Sequence, residues 1–429
     1  MPERAPEHDS SAARNIYAFG ITSFLNDTAT EMAYWVLPAF LASLGAGPTQ
    51  LGLIEGVAES VASFAKLFSG YLTDHLKRRK PVVVAGYFVA NAVKPLLAMV
   101  TAWPQILLIR FTDRLAKGVR GAPRDVMVAE SVPKRRLGAA YGLIQSMDSA
   151  GAIAGPLAAL VLLARSGIRS VFWAAAVPGA LCVLVAMLGI RETSRAAPGG
   201  QPLRLRSGQA RAAVPAPEKL NPNAASSSGE RIALPGSFYF VLVAVTVFSL
   251  GNSSDMFLIL RAQNLGIRVS LAPLLGLVFN ITYTLASWPA GWLSDHVSRR
   301  MVGSIGYAIF AAVYFIFARA TSTMAIWLAM TIYGFYYALT QPVLKALVVE
   351  SVREQVRGRV LGIYFFVTSI ATLAASLITG ELWKHYGAAI PFYFSAVMAL
   401  GAAALLQVAK GRPDSGTTAR DKISGDLSG

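Results

Sequence analysis

The sequence predicts an all-α membrane protein in which twelve transmembrane helices form two pseudo-symmetric six-helix bundles. Three observations predict this architecture: a low charge content, twelve apolar stretches and a motif that occurs twice. Of the 429 residues, 54% are hydrophobic and 14% are charged, whereas soluble proteins carry about 25% charged residues. The chain is therefore not expected to be an ordinary soluble protein.

Twelve apolar stretches have the length needed to cross a bilayer, about 20 residues. Six of them lie near residues 16–43, 50–73, 81–101, 104–127, 138–164 and 170–190. Six more lie near residues 236–262, 270–294, 301–320, 323–349, 358–383 and 389–409. The predicted domains are an N-terminal bundle over residues 16–190 and a C-terminal bundle over residues 236–409.

Polar segments flank the two bundles. Residues 1–15 are predicted to form a cytoplasmic N-terminal segment, and residues 410–429 a disordered cytoplasmic tail. Residues 191–235 are rich in Pro, Ser, Ala and Arg, which is typical of a flexible linker because so little of the segment can be buried. A partner-binding role for this linker remains an alternative.

One motif occurs in both halves. Residues 70–79 read Gly-Tyr-Leu-Thr-Asp-His-Leu-Lys-Arg-Arg, and residues 291–300 read Gly-Trp-Leu-Ser-Asp-His-Val-Ser-Arg-Arg. Each copy follows one apolar stretch and precedes another, and the offset of 221 residues is about half the chain. The pattern indicates two copies of one membrane unit, and such repeats are typical of transporters.

The net charge of +16 is distributed unevenly along the chain. With the amino terminus assigned to the cytoplasm, 25 of the 39 Lys and Arg residues fall in cytoplasmic segments and about five fall outside. This is the positive-inside pattern. The charge therefore predicts a multi-pass protein of a bacterial-type inner membrane with both termini cytoplasmic, and no nucleic-acid partner.

The chain contains a single cysteine, Cys182, within an apolar stretch. One cysteine excludes an internal disulfide and a Cys-based metal site, and we expect neither a metal nor a cofactor. The sequence also lacks His-Glu-x-x-His, Gly-x-Ser-x-Gly and a phosphate-cradling loop, so an enzyme is not expected. We expect the chain to act as a monomer.

Two six-helix halves with Gly-x-Leu-x-Asp between the second and third helix of each resemble the major facilitator superfamily over nearly the whole chain. His75 and His296 replace the first basic residue of the family's loop motif, and its inner glycine is missing. Glu192-Thr193 is similar to the family's Pro-Glu-Thr, with Arg191 in place of proline. The resemblance implies a transporter of small molecules, embedded in the lipid bilayer and working by alternating access.

The repeated motif is predicted to form a cytoplasmic gate. Its glycines permit close helix approach, and its carboxylates lie where an acid can cap the positive end of a helix. The resemblance implies that Asp74 faces the start of the eleventh helix near Gly358, and Asp295 the start of the fifth near Gly138. An ordinary capped turn is the alternative. The predicted gate residues are Gly70, Asp74, Arg78, Gly291, Asp295 and Arg299.

The fifth helix contains the segment Gly151-Ala-Ile-Ala-Gly155-Pro156. It resembles the Gly-x-x-x-Gly-Pro pattern of proton-coupled antiporters that export their substrates. The family's following glycine pair is replaced by Ala159-Leu160. A tightly packed, proline-bent helix that any transporter can use is the alternative.

The first helix carries two acids, Asp27 and Glu31, on one helical face near the bilayer midplane. A charge there costs about 2.5–3.5 kcal/mol, so each acid must face a partner or a cavity. We predict proton carriers, with Glu31 the stronger candidate; permanent pairing with basic neighbours is the alternative. In the repeat register Glu31 corresponds to Asn252 and Tyr34 to Asp255, which predicts a complementary polar patch on the seventh helix.

The fourth helix places charged residues on one broad face. They are Arg110, Asp113, Arg114, Lys117, Arg120 and Arg124. Arg114-Leu-Ala-Lys117-Gly118 resembles the family's Arg-x-x-Gln-Gly motif, which implies a role in proton transfer for Arg114. Asp113 and Asp148 are available counter-ions, and Lys94 adds a buried cation. The predicted proton-coupling residues are Glu31, Asp27, Arg114 and Asp148.

This basic face leaves two interpretations of the cargo. Arg114 and Lys117 favour a substrate with carboxylate or phosphate groups. The preferred interpretation is an internal network of acids and bases whose charges cancel and which moves only protons, because the buried acids nearly balance the bases. The predicted substrate cavity comprises Lys117, Asp113, Lys94, Asn252 and Asp255.

Four charged residues lie in the outer halves of helices two and seven: Glu55, Glu59, Asp255 and Arg261. Solvated helix ends are the preferred explanation, and an outer gate is the alternative. The leading functional hypothesis is proton-coupled export of a small organic solute. The alternatives are proton-coupled uptake of an organic anion, such as a carboxylate or siderophore-like compound, and a non-transporting membrane sensor.

Overall fold

The computed structural model describes residues 8–76, 78–132, 137–193, 236–350 and 357–408, and these ranges contain helices and no strand. The N-terminal half comprises α1 (His8–Tyr34), α2 (Leu37–Ser43), α3 (Pro48–His75), α4 (Lys80–Val93), a 3-10 turn (Pro95–Met99), α5 (Trp103–Glu130), α6 (Leu137–Ser166), α7 (Ile168–Ala174) and α8 (Ala176–Gly189). The C-terminal half comprises α9 (Gly236–Gly251), α10 (Met256–Asn264), a 3-10 turn (Val269–Leu271), α11 (Ala272–His296), α12 (Arg299–Arg319), α13 (Thr323–Glu350), α14 (Arg357–Tyr386) and α15 (Ile390–Val408).

These helices form twelve spans, which we number in chain order. Span 1 is α1 with α2, span 3 is α4 with its 3-10 turn, span 6 is α7 with α8, and span 7 is α9 with α10; every other span is one helix. Among the described residues, eight spans are long and apolar enough to cross a membrane. Spans 1, 2, 4 and 10 are not among these eight, and spans 1, 2 and 4 carry the acids and bases of the candidate site.

Four of the predicted apolar stretches are broken helices. Span 1 breaks at Trp35–Val36 and span 3 at Lys94. Pro38 is the second residue of the helical segment that follows the first break, and Pro95 is the first residue after the second; proline lacks the N–H that would continue the preceding helix. Span 6 breaks at Ala175. Span 7 is non-helical at residues 252–254, and the Oγ of Ser254 accepts a hydrogen bond from the N–H of Met256 at 3.3 Å. Span 1 also begins at His8, earlier than predicted.

The duplication is visible in the turns. In the described residues, positive φ angles occur at Gly45 (75°) and Gly167 (78°) in the first half and at Gly266 (92°) and Gly387 (87°) in the second. The two pairs are 221 and 220 residues apart. A positive φ strains residues that carry a Cβ, so each copy of the unit ends its first and fifth spans at the same glycine turn.

The two halves meet along spans 2 and 11 and along spans 5 and 8, with a smaller contact between spans 1 and 7. We name the side on which α1 begins and α15 ends the termini side, and the opposite side the far side. The largest apolar core continues across both halves; it includes Trp35, Phe40, Phe257 and Phe310. A smaller core around Phe19 and Cys182 lies within the first half alone.

Candidate functional site

A cavity of about 920 Å³ lies between the halves and extends toward the termini side. The first half contributes most of its wall, from α1, α3, α4, α5 and α6, and α14 contributes the facing wall. Its charged lining residues are Asp27, Glu59, Lys66, Arg114, Lys117, Arg120, Arg124, Asp125 and Asp148. Three predicted proton-coupling residues and Lys117 therefore share this cavity, and Gly70 lines it near the end of α3.

The basic face of α5 is held by distinct partners. Arg114 Nη2 lies 3.0 Å from Glu59 Oε1, and Arg124 Nη2 lies 3.1 Å from Asp125 Oδ1. The guanidinium of Arg120 stacks on the Tyr87 ring at 4.4 Å, which places a cation on the negative face of an aromatic ring. Along this face of α5, Arg114 and Arg124 are therefore ion-paired, whereas Lys117 and Arg120 between them form no ion pair within the described residues.

The acids of α1 have few cationic partners. The Trp35 indole donates to Glu31 Oε2 at 2.7 Å, and within the described residues no Lys or Arg lies at ion-pair distance from Glu31 or Asp27. Asp27 is instead within hydrogen-bonding reach of the Asp148 carboxyl on α6. Two carboxyl groups can form a hydrogen bond only when one of them is protonated, so this pair is a candidate site for a coupling proton.

The Gly-x-x-x-Gly-Pro segment positions these acids. A Cβ on Gly155 would lie 2.7 Å from the carbonyl oxygen of Thr28 and 2.8 Å from the Cβ of Glu31. A Cβ on Gly151 would clash with the carbonyl of Phe24 and lie 3.2 Å from the Cβ of Asp27. Small residues permit this approach of two backbones. The following Pro156 is buried within α6. The motif therefore packs span 5 onto span 1 at the turns that carry the acids.

Lys94 and Asp113 lie apart from the large cavity. They line a small pocket of about 20 Å³, where Lys94 Nζ is 3.9 Å from Asp113 Oδ1. Lys94 also donates to Asn91 at 3.0 Å, Asn91 donates to Asn26 at 3.3 Å, and Asn26 donates to Asp27 at 3.2 Å. The structure thus links the small pocket to the cavity acids through two asparagines that sequence reasoning missed.

Asn252 and Asp255 face an aromatic cluster of the second half. Tyr333 and Tyr337 donate to the two oxygens of Asp255 at 2.7 and 2.9 Å, and Asn252 donates to the Tyr336 hydroxyl at 3.5 Å. Neither residue is among the lining of the large cavity. The predicted polar patch on span 7 is therefore bound to tyrosines, while its counterpart Glu31 on span 1 is bound to a tryptophan.

Glu55 is buried and joins the two halves. Its Oε1 accepts from Arg110 Nε and Nη2 at 2.9 and 2.6 Å, and its Oε2 accepts from Ser254 Oγ at 3.1 Å. With 1% of its side chain exposed, Glu55 is not a solvated helix end. Arg261 instead donates to the carbonyls of Phe317 and Ala320 within the second half.

The gate residues are described only in part. Arg78 is exposed, and Arg299 is the first residue of α12 and half-buried. The side chains of Asp74 and Asp295, the surroundings of Gly291, and those of the expected helix starts at Gly138 and Gly358 lie outside the described residues. The proposed contacts of the gate therefore remain a prediction from the motif.

Hydrogen bonds and an ion pair join the termini-side ends of the helices in the first half. The residues that form them were not assigned to a site by sequence reasoning. Glu192 accepts from the backbone N–H groups of Arg79 and Lys80, at 2.9 and 3.1 Å, and so caps the start of α4. Arg79 Nη1 lies 2.7 Å from both oxygens of Glu130, which also accepts from Thr193 at 2.6 Å. The Glu192-Thr193 pair after span 6 was the sequence signal that could have pointed to these contacts.

Comparisons with known proteins agree with this architecture. The sequence profile of the Major Facilitator Superfamily matches residues 19–261 and again 239–426. An uncharacterized MFS-type transporter of Methanocaldococcus jannaschii is 33% identical over 410 residues, which cover 93% of this chain and 96% of that protein. The multidrug resistance protein MdtG of Escherichia fergusonii is 30% identical over 185 residues, 42% of this chain and 45% of that protein.

Among solved structures, a mutant of the nucleoside transporter NupG has a TM-score of 0.71 at 13% sequence identity, covering 92% of this chain and 100% of that one. This likeness concerns the fold. The profile covers both halves, and the archaeal relative extends over nearly the full length. The chain belongs to the Major Facilitator Superfamily and is a multi-pass membrane transporter, not an enzyme.

Proposed function

We propose that this transporter exports a small organic solute by alternating access, in exchange for protons. The observation that carries the proposal is the pair of acids on α1 that form no ion pair in the described residues, one of them within reach of a third acid, Asp148. Uncompensated acids at membrane depth are typical of proton relays. Glu31, Asp27 and Asp148 would take up and release the coupling proton, and Arg114, which lines the same cavity as Asp27 and Asp148, would respond to their charge.

Alternating access is supported by the asymmetry between the two sides. On the far side, the halves are in contact through α3 and α14, where Gly52 and Gly56 approach Leu373 and Ser376. On the termini side, the large cavity lies between the halves. With the termini in the cytoplasm of a bacterial-type cell, this is an inward-facing state, and rocking of the halves would expose the site to the opposite side.

The export direction rests on two supports. The segment Gly151–Pro156 resembles the antiporter pattern, and the chain matches MdtG, a multidrug resistance protein, over less than half of either length. Residues of a single chain line the cavity, so we propose that the monomer suffices. Protons and the substrate are the expected partners.

The testing experiment uses the full chain in inverted membrane vesicles with a panel of radiolabelled organic compounds. Export predicts uptake into the vesicles that rises at least about fivefold when their interior is acid relative to the medium. Collapse of the gradient with a protonophore should abolish the difference. Accumulation only under the reverse gradient would instead support uptake.

Counterflow in liposomes separates a transporter from a sensor. Preloading with unlabelled substrate should accelerate entry of labelled substrate without any pH gradient, because alternating access exchanges one molecule for another. Binding without counterflow would overturn the transport function.

A further inference from the structure

We propose that the large cavity binds an amphipathic organic anion, with its acidic group beside Arg114 and its apolar body against Tyr364 and Phe365. The inference rests on the proposed function and deepens it by naming the chemical class of the substrate. It is independent of the direction of transport, because both directions use the same cavity.

The charge balance of the cavity favours an anion. Five bases and four acids line it. Even with every one of these acids ionised, the lining keeps one net positive charge. Asp113, which would have neutralised one more base, lies in the small pocket with Lys94. The network therefore does not cancel within the cavity.

The cations that line the cavity differ in whether they form an ion pair. Arg124 is paired with Asp125, whereas Lys66, Lys117 and Arg120 form no ion pair within the described part of the chain. An unpaired cation in a partly dehydrated cavity attracts a negatively charged group more strongly than it would in water. The lining is therefore short of anionic partners.

Arg114 is the best placed to bind the acidic group. Its side chain is 9% exposed, and its Nε is buried without a hydrogen-bond partner in the described residues. Its one ion-pair partner, Glu59, has 42% of its side chain exposed, so that partner remains hydrated and replaceable. A guanidinium binds a carboxylate through two parallel hydrogen bonds, and Arg114 has a donor free for this geometry.

The facing wall is aromatic. Tyr364, Phe365 and Thr368 of α14 line the cavity opposite the bases. Lys66 lies 5.8 Å from the centre of the Phe365 ring, so the apolar and cationic walls meet at one edge. Drug-sized ligands occupy pockets of about 300–1,000 Å³ with apolar walls and a few polar anchors. A volume of about 920 Å³ accommodates both an apolar body and a charged head.

The test compares three compounds that share an apolar body and differ in the charge of the head: 4-phenylbutyrate, 4-phenylbutyramide and 4-phenylbutylamine. Binding to the purified full chain in detergent is measured by isothermal calorimetry at one ionic strength. We expect the acid to bind at least about tenfold more tightly than the amide, and the amine to bind most weakly. Equal binding of acid and amide, tighter binding of the amine, or no binding of the acid at millimolar concentration would overturn the proposal.

Variants locate the acidic group. Arg114→Gln should reduce the preference for acid over amide at least about fivefold, and Tyr364→Ala should weaken both compounds alike. The control Arg261→Gln removes an arginine that binds backbone carbonyls outside the cavity and should leave the preference unchanged. Lys117 is exposed, so Lys117→Gln provides a second test if Arg114→Gln does not fold. An acid preference that survives both variants contradicts the placement.

Binding is measured without transport, so the two proposals fail separately. Selective binding of the acid without counterflow supports the anion site and overturns the transport function. Counterflow of a cationic or neutral compound, without binding of the acid, supports the transport function and overturns the anion site.

Discussion

The Ser254 hydroxyl donates a hydrogen bond to Glu55 at 3.1 Å and so joins span 7 of the second half to span 2 of the first. Glu55 is held at the same time by Arg110. The contact lies on the far side, which is closed in this structure. Under the proposed alternating access the halves separate there when the far side opens, so this hydrogen bond would break in each transport cycle.

We expect Ser254→Ala to shift the protein toward the far-side-open state. A hydrogen bond contributes about 0.5–1.5 kcal/mol, so its loss should raise the open population about two- to tenfold. The reporter is a cysteine at Ser376, which is 1% exposed and whose hydroxyl has no partner among the described residues. Labelling of Ser376→Cys in a Cys182→Ser background should accelerate by that factor.

Ser43→Ala is the matched control for this measurement. Its hydroxyl bonds to Phe40 within its own helix on the same side, so it joins no elements that separate. An unchanged labelling rate in Ser254→Ala, or an equal change in Ser43→Ala, would contradict a gating role for the Glu55 contact.

Loss of the gate predicted from the repeated motif should have the opposite effect and shift the protein away from the far-side-open state. If Asp74 and Asp295 cap helices of the other half when the termini side closes, Asp74→Asn and Asp295→Asn weaken that closed state. Each cap contributes about 1 kcal/mol, so labelling of Ser376→Cys should slow about fivefold. Asp125→Asn is the control, since Asp125 pairs with Arg124 of its own helix. Faster or equal labelling in both motif variants would contradict the gate.

Glu31→Gln tests the coupling proton. Glutamine retains an oxygen that can accept the Trp35 hydrogen bond but carries no titratable proton. We expect gradient-driven accumulation to fall at least about tenfold while counterflow at a single pH persists. Glu381→Gln is the control because Glu381 pairs with His385 at an exposed helix end. Retention of the full response to the pH gradient would exclude Glu31 as the proton carrier.

Gly155→Ala tests the contact between spans 5 and 1. The added methyl must displace the Thr28 backbone or Glu31, and overpacking of this kind costs about 1–3 kcal/mol. We expect a lower melting temperature in detergent and reduced transport. In Gly401→Ala the new Cβ meets nothing within 4 Å, and alanine favours a helix over glycine by up to about 1 kcal/mol. The melting temperature of this control should match or exceed that of the wild type. Equal melting temperatures of the two variants would refute the close contact.

Sequence reasoning was most successful where the signal is local. Twelve spans, the duplication and the helix that carries Asp27 and Glu31 follow from hydropathy and from one repeated motif. The breaks in spans 1, 3, 6 and 7 were missed because hydropathy continues through them. The burial of Glu55 was also missed: its depth along span 2 was known, but burial depends on which helices lie against it.

The partners of the charged residues depended on the tertiary structure. Lys94 pairs with Asp113 away from the cavity, and Asp27 reaches Asp148 on another helix. Sequence periodicity assigns residues to a helical face and gives no information about which helix that face will meet. The balance of charge inside the cavity therefore became apparent only once these pairs were located.

The sequence by itself determined a duplicated twelve-span membrane protein with acids and bases concentrated in the first half. Both properties follow from the cost of placing polar groups in hydrocarbon, which acts on each segment independently. The tertiary structure alone decided that the far side is closed through Glu55 and Ser254, and that cations without an ion pair in the described part of the chain line the open cavity. Those outcomes depend on contacts between residues far apart in the chain, which form only when the two halves pack together.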